Sequence, residues 1–418
     1  MRMLLTLPRP FFPADTGGKI RSLNIFSRLA SRIEIHAVSF ADPVKDSAAI
    51  EQMKGMFASY RPVLRKEAVR HSVRFYKELI ASQFDSLPYF LAKCNSPELS
   101  SAVAELERSK RFDLLFCDFL HTAAPLMEVA FRPRVVFEHN VEFLLRKRKW
   151  QTEGHLLKRF IFRREWKKTR TIEAQVCRSF DRIITVSAED SRTLHEEFGV
   201  RNSSAIPAGV DTNFFHPSDQ PPRPRRLVFV GSMDWHPNEE GMLWFLREVF
   251  PQIRRTAPDV SLSIVGRSPS PRLRAIAAAA PAVEVTGWVA DVRPYLAQAE
   301  VVVVPLLVGG GTRIKIPEAM AMAKPVVSTP IGAEGLPFRD GREIRIAERS
   351  ADFAQAVLEL LGNVLLRKAI GAAARREVVA KCSWEGVTDR LEHVLTQLAG
   401  LPDAGLRSEE LSLRAATL

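Results

Sequence analysis

Four valines in a row, Val301 to Val304, end at Pro305, and after a short spacer the chain reads GGGTRIKIPEAMA from Gly309 to Ala321. A run that short and that β-branched is a strand buried on both faces, as parallel sheets require. Parallel strands need crossover connections, so such runs commit a chain to alternating strands and helices. The glycines let backbone approach an anion closely, and the first N–H groups of the following helix point outward unpaired. Arg313 and Lys315 add two cations there, and Glu318 follows about one turn later, within reach of a sugar hydroxyl. Pro317 fits only in the first helical turn, where no N–H is needed. No Gly-Lys-Ser/Thr follows, so this is not a P-loop. A tight turn at a helix start is the plain alternative; with Arg, Lys and Glu in register, a phosphate site is the stronger reading.

The same alternation runs through all 418 residues. Strands are expected at Met3–Leu7, Ile33–Phe40, Asp113–Cys117, Arg134–Phe137 and Arg182–Val186, with helices at Ile20–Ala30, Pro97–Ser109 and Glu165–Phe180 between them. Pro207, Pro217, Pro221, Pro222 and Pro224 then break the pattern, and 207–226 reads as a linker. Strands resume at Leu227–Gly231, Ser261–Val265, Val283–Thr286, Val301–Pro305, Pro325–Ser328 and Glu343–Ile346. Their helices are expected at Asn238–Ala257, Pro271–Ala279, Val292–Gln298, Ile316–Met322 and Ala351–Leu361, with a last one at Ser383–Leu398. The expected fold is α/β: two Rossmann-like, doubly wound domains, 1–206 and 227–382, facing across a cleft. Ligands in such sheets bind outside the carboxyl ends of the strands. Residues 383–400 form a closing helix and 401–418 a polar tail.

The start offers no signal peptide, since its apolar stretch spans only Met3 to Leu7 before Pro8 and Pro10. No apolar run approaches the ~20 residues that cross a bilayer. Cys94, Cys117, Cys177 and Cys382 are scattered, which argues against disulfides and zinc and fits a reducing cytoplasm. No Asp-x-Asp and no metal-spaced His/Asp/Glu cluster appears, so neither metal nor other cofactor is expected. The net charge of +12 is concentrated. Residues 146–170 carry eleven Lys/Arg against Glu153 and Glu165, interleaved with Trp150, Phe160, Phe162 and Trp166. A second basic stretch, 61–77, holds Phe75 and Tyr76. A solvated helix face and an anionic membrane surface compete as readings. Nucleic acid ranks last, because no DNA- or RNA-binding signature accompanies the charge.

Five blocks in order, IPAGVDTNFF (206–215), VFVG (228–231), TGWVADVRPYLAQAEVVVVP (286–305), GGGTRIKIPEAMAMAKPVVSTPIGAEG (309–335) and SWE (383–385), resemble family 4 glycosyltransferases. Gly17–Gly18 and EHNVE (138–142) extend the likeness into the first half. EHNVEFLLRKR (138–148) and SMDWHPNEEGMLWF (232–245) resemble sugar transferases of exopolysaccharide clusters associated with exosortase systems. The resemblance implies the GT-B fold and a retaining, metal-independent transferase. It implies a nucleotide-sugar donor in the carboxy-terminal domain and a lipid-linked saccharide or oligosaccharide acceptor in the amino-terminal one. It also implies that the tail helix with Trp384 crosses back to the first domain. Work at the inner face of the plasma membrane would explain the basic aromatic stretch. A sugar-nucleotide epimerase and an inactive membrane-bound scaffold remain the rivals.

By the same resemblance, Glu318 holds the ribose hydroxyls, a diol that a carboxylate can accept from twice. The family's other motif glutamate is replaced by Gly310. Arg313 and Lys315 take the phosphates in place of an Arg/Lys pair missing after VFVG. Gly231, Gly309, Gly310, Gly311 and Thr312 approach phosphate or sugar through backbone. Trp288 and Val289 flank the base, although Trp288 equally suits a core. Gly17 and Gly18 admit diphosphate or acceptor. His139 sits where a histidine touches the transferred sugar; His121 is a weaker candidate. Glu138 and Glu142 are placed to position an acceptor hydroxyl or to cap a helix.

Overall fold

The computed structural model describes residues 1–66, 72–280, 282–308 and 314–401. It divides into two units, Met1–Ile206 with Thr388 onward, and Pro207–Val387. Each unit is one parallel sheet wrapped by helices.

In the first unit the strands are β1 (Arg2–Leu7), β2 (Glu34–Ala41), β3 (Ser59–Leu64), β4 (Leu114–Asp118), β5 (Arg134–Glu138), β6 (Arg182–Thr185) and β7 (Ser203–Ala205). They lie in the order β3-β2-β1-β4-β5-β6-β7. The central strands β1, β4 and β5 are almost wholly apolar and buried along their length, because helices cover both faces of the sheet. The strands missing from the sequence reading are the edges. β3, with Arg61 and Pro62 in SYRPVL, pairs only with β2, and an edge tolerates both residues because one side of its backbone needs no partner. β7 is Ser-Ser-Ala and has no hydrophobic signal at all.

The second unit carries β8 (Arg226–Val230), β9 (Ser261–Val265), β10 (Val283–Gly287), β11 (Val301–Val304), β12 (Val326–Ser328) and β13 (Arg345–Ile346). Their order is β10-β9-β8-β11-β12-β13. The valine run is thus a central strand, paired in parallel with β8 and β12 and buried throughout.

Helix boundaries follow local chemistry. Ser270 caps the helix Pro271–Ala279 through its Oγ, which accepts from the Leu273 N–H at 3.1 Å, and Pro271 occupies the first position. The single helix expected over Asn238–Ala257 is instead three segments: His236–Trp244, a π-helical Phe245–Val249, and Phe250–Thr256. Pro251 explains the break, since it has no N–H for the carbonyl one turn earlier and its ring crowds that turn. The helix expected from Glu165 begins earlier, at Leu156, and runs to Ser179. A helix at Val364–Cys382, absent from the sequence reading, packs against the turn before β12. Its Gly371 permits this, because a Cβ there would overlap the carbonyl of Ala323. The last helix, Trp384–Leu398, starts in the second unit, and from Thr388 it belongs to the first. There Arg32 holds Asp389 at 2.6 Å and Glu392 at 2.8 Å. The polar tail from 402 lies outside the described residues.

Candidate active site

In a doubly wound sheet, crossovers run in opposite directions from the point where strand order reverses, and the gap left there is the usual ligand crevice. Both units have one: between β1 and β4 in the first, between β8 and β11 in the second.

At the second crevice, β8 ends at Val230 and Gly231 follows. The helix opening at His236 carries Asn238, which is buried. Past β11, the helix Lys315–Ala321 presents Lys315 and Glu318 in its first turn. These groups converge. The Lys315 ammonium donates to Asn238 Oδ1 at 2.5 Å and lies 4.5 Å from the centre of the Phe229 ring. Asn238 in turn donates through Nδ2 to the Ser232 carbonyl at 2.7 Å. A Cβ on Gly231 would fall 2.6 Å from the Lys315 nitrogen and 2.8 Å from Asn238 Nδ2, so a side chain there would push these two side-chain ends aside. Burial pushes the Glu318 carboxyl up to about 7, against the pull of Lys315. Gly309, Gly310, Gly311, Thr312 and Arg313 lie outside the described residues. Trp288, after β10, is 73 % exposed and therefore is not core, while Val289 packs partly buried on the second unit's core.

At the first crevice, β4 ends in Asp118, a carboxylate closing an otherwise apolar strand. His139, just past β5, is 4 % exposed, and its Nε2 lies 2.6 Å from Asp118 Oδ1. Ser22, from the helix Gly17–Ala30, donates to Asp118 Oδ2 at 2.7 Å. A carboxylate only accepts, so Nε2 carries the proton and Nδ1, buried with no hydrogen-bond partner, is left as an acceptor. Burial lowers the His139 pKa, with Asp118 opposing, and the ring stays neutral. It is sandwiched between Phe119, stacked at 3.8 Å, and Phe137 at 4.2 Å. Phe119 holds φ at 70°, a conformation that non-glycine residues rarely take. Gly18 completes the stack: a Cβ there would lie 2.7 Å from Phe119 Cζ. Gly17 has open space around it. Arg21, also buried, sits 5.8 Å from the centre of the Phe137 ring, and burial takes its pKa down to about 10.

His121 lines a cavity of about 200 Å³ in this crevice, with Arg9, Lys19, Lys93 and Asp118. Burial, then the charges of Arg146, Lys93 and Arg9, pushes its pKa down to about 3. Glu138 and Glu142 are both buried. Glu173 joins them, accepting from the backbone N–H groups of Glu142 at 2.8 Å and Phe143 at 2.7 Å, and so caps the helix Glu142–Thr152 from a neighbouring one. Burial raises all three carboxyls, and mutual repulsion raises Glu138 and Glu173 further.

Of the residues named from sequence, the structure places Gly18 and His139 at the first crevice and Gly231, Lys315 and Glu318 at the second; beside them it sets Asp118, Ser22, Phe119, Glu173 and Asn238, which the sequence reading did not name. Asp118 left a trace, an acid at the end of a strand; Phe119 and Glu173 left none, because only the fold brings them to their partners.

Comparison with known proteins bears on the family and the fold. A model of glycosyltransferase family 4 matches residues 23–214, and a model of glycosyl transferases group 1 matches residues 224–363. An uncharacterized 44.6 kDa protein in the cps region of Klebsiella pneumoniae is 22% identical over 299 residues, covering 68% of this chain and 74% of that protein. A phosphatidyl-myo-inositol mannosyltransferase of Mycobacterium leprae is 30% identical over 203 residues, 46% of this chain and 53% of its own length. The chain therefore spans about half of that relative. Among solved structures, Anabaena HepE in complex with UDP superposes with a TM-score of 0.66 at 14% identity, covering 95% of this chain and 100% of that one. The chain belongs to the glycosyltransferases, a family 4 half followed by a group 1 half, and is an enzyme of that class with the two Rossmann-like domains of the GT-B fold.

Proposed function

We propose that this glycosyltransferase retains anomeric configuration, works without a metal, and moves a sugar from a nucleotide-sugar donor to a lipid-linked saccharide during bacterial exopolysaccharide assembly. The observation that carries the donor reading is the convergence of Gly231, Asn238, Lys315 and Glu318 at the β8–β11 crevice. Glu318 then takes the ribose diol, and Lys315 with Arg313 the diphosphate, whose charge grows as it leaves. Trp288, being exposed, is free to face a base. The new bond forms from the acceptor oxygen to the anomeric carbon as the bond to the β-phosphate breaks. The departing phosphate takes the acceptor proton on the same face. His139 contributes its Nδ1 edge, oriented by Asp118. HepE is named in complex with UDP and glucose, which supports a nucleotide-sugar donor here. The cps-region relative supports polysaccharide assembly, and residues 138–148 and 232–245 narrow the proposal to exosortase-associated clusters.

The membrane part of the reading rests on two surfaces. The helix Val73–Phe84 exposes Val73, Tyr76, Ile80 and Phe84, spaced along one face. The helix Leu156–Ser179 exposes Leu156 (82 %), Leu157 and Phe160 among Lys158, Arg159, Arg163 and Arg164. The two helices meet where Arg164 donates to the Gln83 carbonyl at 2.7 Å and Lys168 to that of Ser82 at 2.5 Å. Apolar side chains rimmed by cations suit the inner face of an anionic plasma membrane. Among the described residues no helix is long and apolar enough to cross one.

A thermal-shift panel of UDP-, GDP- and dTDP-sugars, with Glu318→Ala alongside, tests the donor site. A ligand at ~100 times its dissociation constant adds about 2.7 kcal/mol. Stabilisation by one nucleotide class, lost in the variant, is expected; silence across the panel overturns the reading in favour of an inactive scaffold.

A further inference from the structure

The β1–β4 crevice holds a cavity whose lining is chemically one-sided. Arg9 comes from the loop after β1, Lys19 from the first turn of the glycine-led helix, and Lys93 from the segment after the helix Tyr89–Ala92. Among the lining residues one carboxylate, Asp118, stands against these three cations, and its two oxygens already accept from His139 and Ser22. Lys19 also holds Asp15 at 3.2 Å from outside the lining, so Arg9 and Lys93 carry most of the excess charge. His121 lines the same space as a neutral ring, and its Nδ1 is buried with no hydrogen-bond partner. A second cavity, of about 240 Å³, shares Arg9 and Lys19 and adds Lys45 and Arg65 but also Asp42 and Asp46, so the excess of cations is greatest in the first cavity. A pocket of about 200 Å³ is below the ~300–1,000 Å³ of sites that enclose a drug-sized ligand, so it suits one compact group rather than a whole nucleotide sugar.

We infer that this cavity binds the anionic group of the acceptor, a phosphate or diphosphate carried next to the hydroxyl that receives the sugar. The inference rests on the transferase reading and specifies its acceptor: a phosphorylated one, not a neutral saccharide. Arg9 supplies a planar donor fork and Lys19 and Lys93 point charges, the pairing that phosphate oxygens accept best. The positive end of the helix Gly17–Ala30 adds to the same field. Phosphate at this position brings the acceptor beside the Asp118–His139 pair.

The donor's diphosphate offers the same chemistry, and the test separates the two. Inorganic pyrophosphate is titrated calorimetrically into the full-length protein, with and without saturating UDP, or GDP or dTDP if the donor panel selects one of them. The expected result is one site that survives saturating nucleotide and the Glu318→Ala substitution. Its affinity should fall at least about tenfold in the Arg9→Ala/Lys93→Ala double variant and return in Arg9→Lys/Lys93→Arg. Equal affinity in the double variant, absence of binding, or loss of binding on adding nucleotide overturns the inference. Nucleotide binding without a pyrophosphate site would leave the transferase reading standing and remove this one. Pyrophosphate binding without any nucleotide site would remove the transferase reading instead.

Discussion

The imidazole Nε2 of His139 lies 2.6 Å from Oδ1 of Asp118, and the other Asp118 oxygen is held by Ser22, so a helix and two strand ends of the first unit fix one ring. Replacing Asp118 by Asn removes the charge and allows the amide to present a donor to Nε2, which releases or flips the ring. Hydrogen bonds to charged groups are worth about 1.5–3 kcal/mol, so turnover should fall roughly ten- to hundredfold. Steady-state kinetics of Asp118→Asn with the donor selected by the panel checks this; unchanged kcat would show that the pair is structural only.

Gly18 and Gly17 are neighbours with opposite surroundings. A Cβ on Gly18 meets Phe119 at 2.7 Å, and Phe119 is already held at positive φ against His139. Gly18→Ala should lower stability by about 1–3 kcal/mol and disturb the His139 stack. Gly17→Ala meets nothing within 4 Å. Thermal unfolding of the two variants side by side should show a clear drop in Tm only for position 18.

These two glycines also show where the sequence was legible. The buried strands could be located because β1, β4, β5, β8 and β11 are apolar on both faces, a pattern that polar edges such as β3 and β7 do not share. Gly18 could be found as a glycine after a strand, but its reason, the Phe119 ring, comes from about a hundred residues away. Lys315 and Glu318 were visible as a local motif. Their anchor, Asn238, sits 77 residues earlier in sequence and is joined to them only by the β8–β11 pairing. Pairing across a parallel sheet leaves no local signature, which is why the partners were missed and the motifs were not.

Glu318 gives a pH prediction whose sign is fixed. Its folded pKa, about 7, is raised above the ordinary 4.5 by burial. The folded protein therefore holds this proton where the unfolded chain has lost it. The contribution to stability is fully present below pH 4.5 and is lost as pH rises to about 7. Urea midpoints measured from pH 4.5 to 7.5 should fall less steeply in Glu318→Gln than in the native chain. Nucleotide affinity should move the other way, strengthening through pH 7 as the carboxylate forms. Glu318→Gln should flatten that part of the profile, whereas the titration of the nucleotide's own phosphate is common to both proteins.

The exposed stripe Val73, Tyr76, Ile80, Phe84 contributes little to the fold, since Phe84 is 89 % exposed and Ile80 62 %. Ile80→Ser/Phe84→Ser should leave Tm within about a degree or two, as surface changes usually cost under 0.5 kcal/mol. The same pair should reduce flotation with anionic liposomes severalfold. Undiminished flotation would place the membrane contact elsewhere.

Asn238 holds the Lys315 ammonium at 2.5 Å and is itself fixed by the Ser232 carbonyl, directly above Gly231. Asn238→Leu keeps the volume but removes both polar contacts, including the amide oxygen that accepts from the Lys315 ammonium. The ammonium then loses the bond to Asn238 that holds it above the strand end at Gly231. A misplaced cation loses the charge-assisted bond to a phosphate oxygen, worth about 1.5–3 kcal/mol. Nucleoside diphosphate affinity should therefore fall about tenfold or more in Asn238→Leu, with much less effect on the nucleoside lacking phosphates. Calorimetric titration with both ligands makes the comparison. An equal loss for nucleoside and diphosphate would mean that Asn238 supports the helix start rather than the lysine.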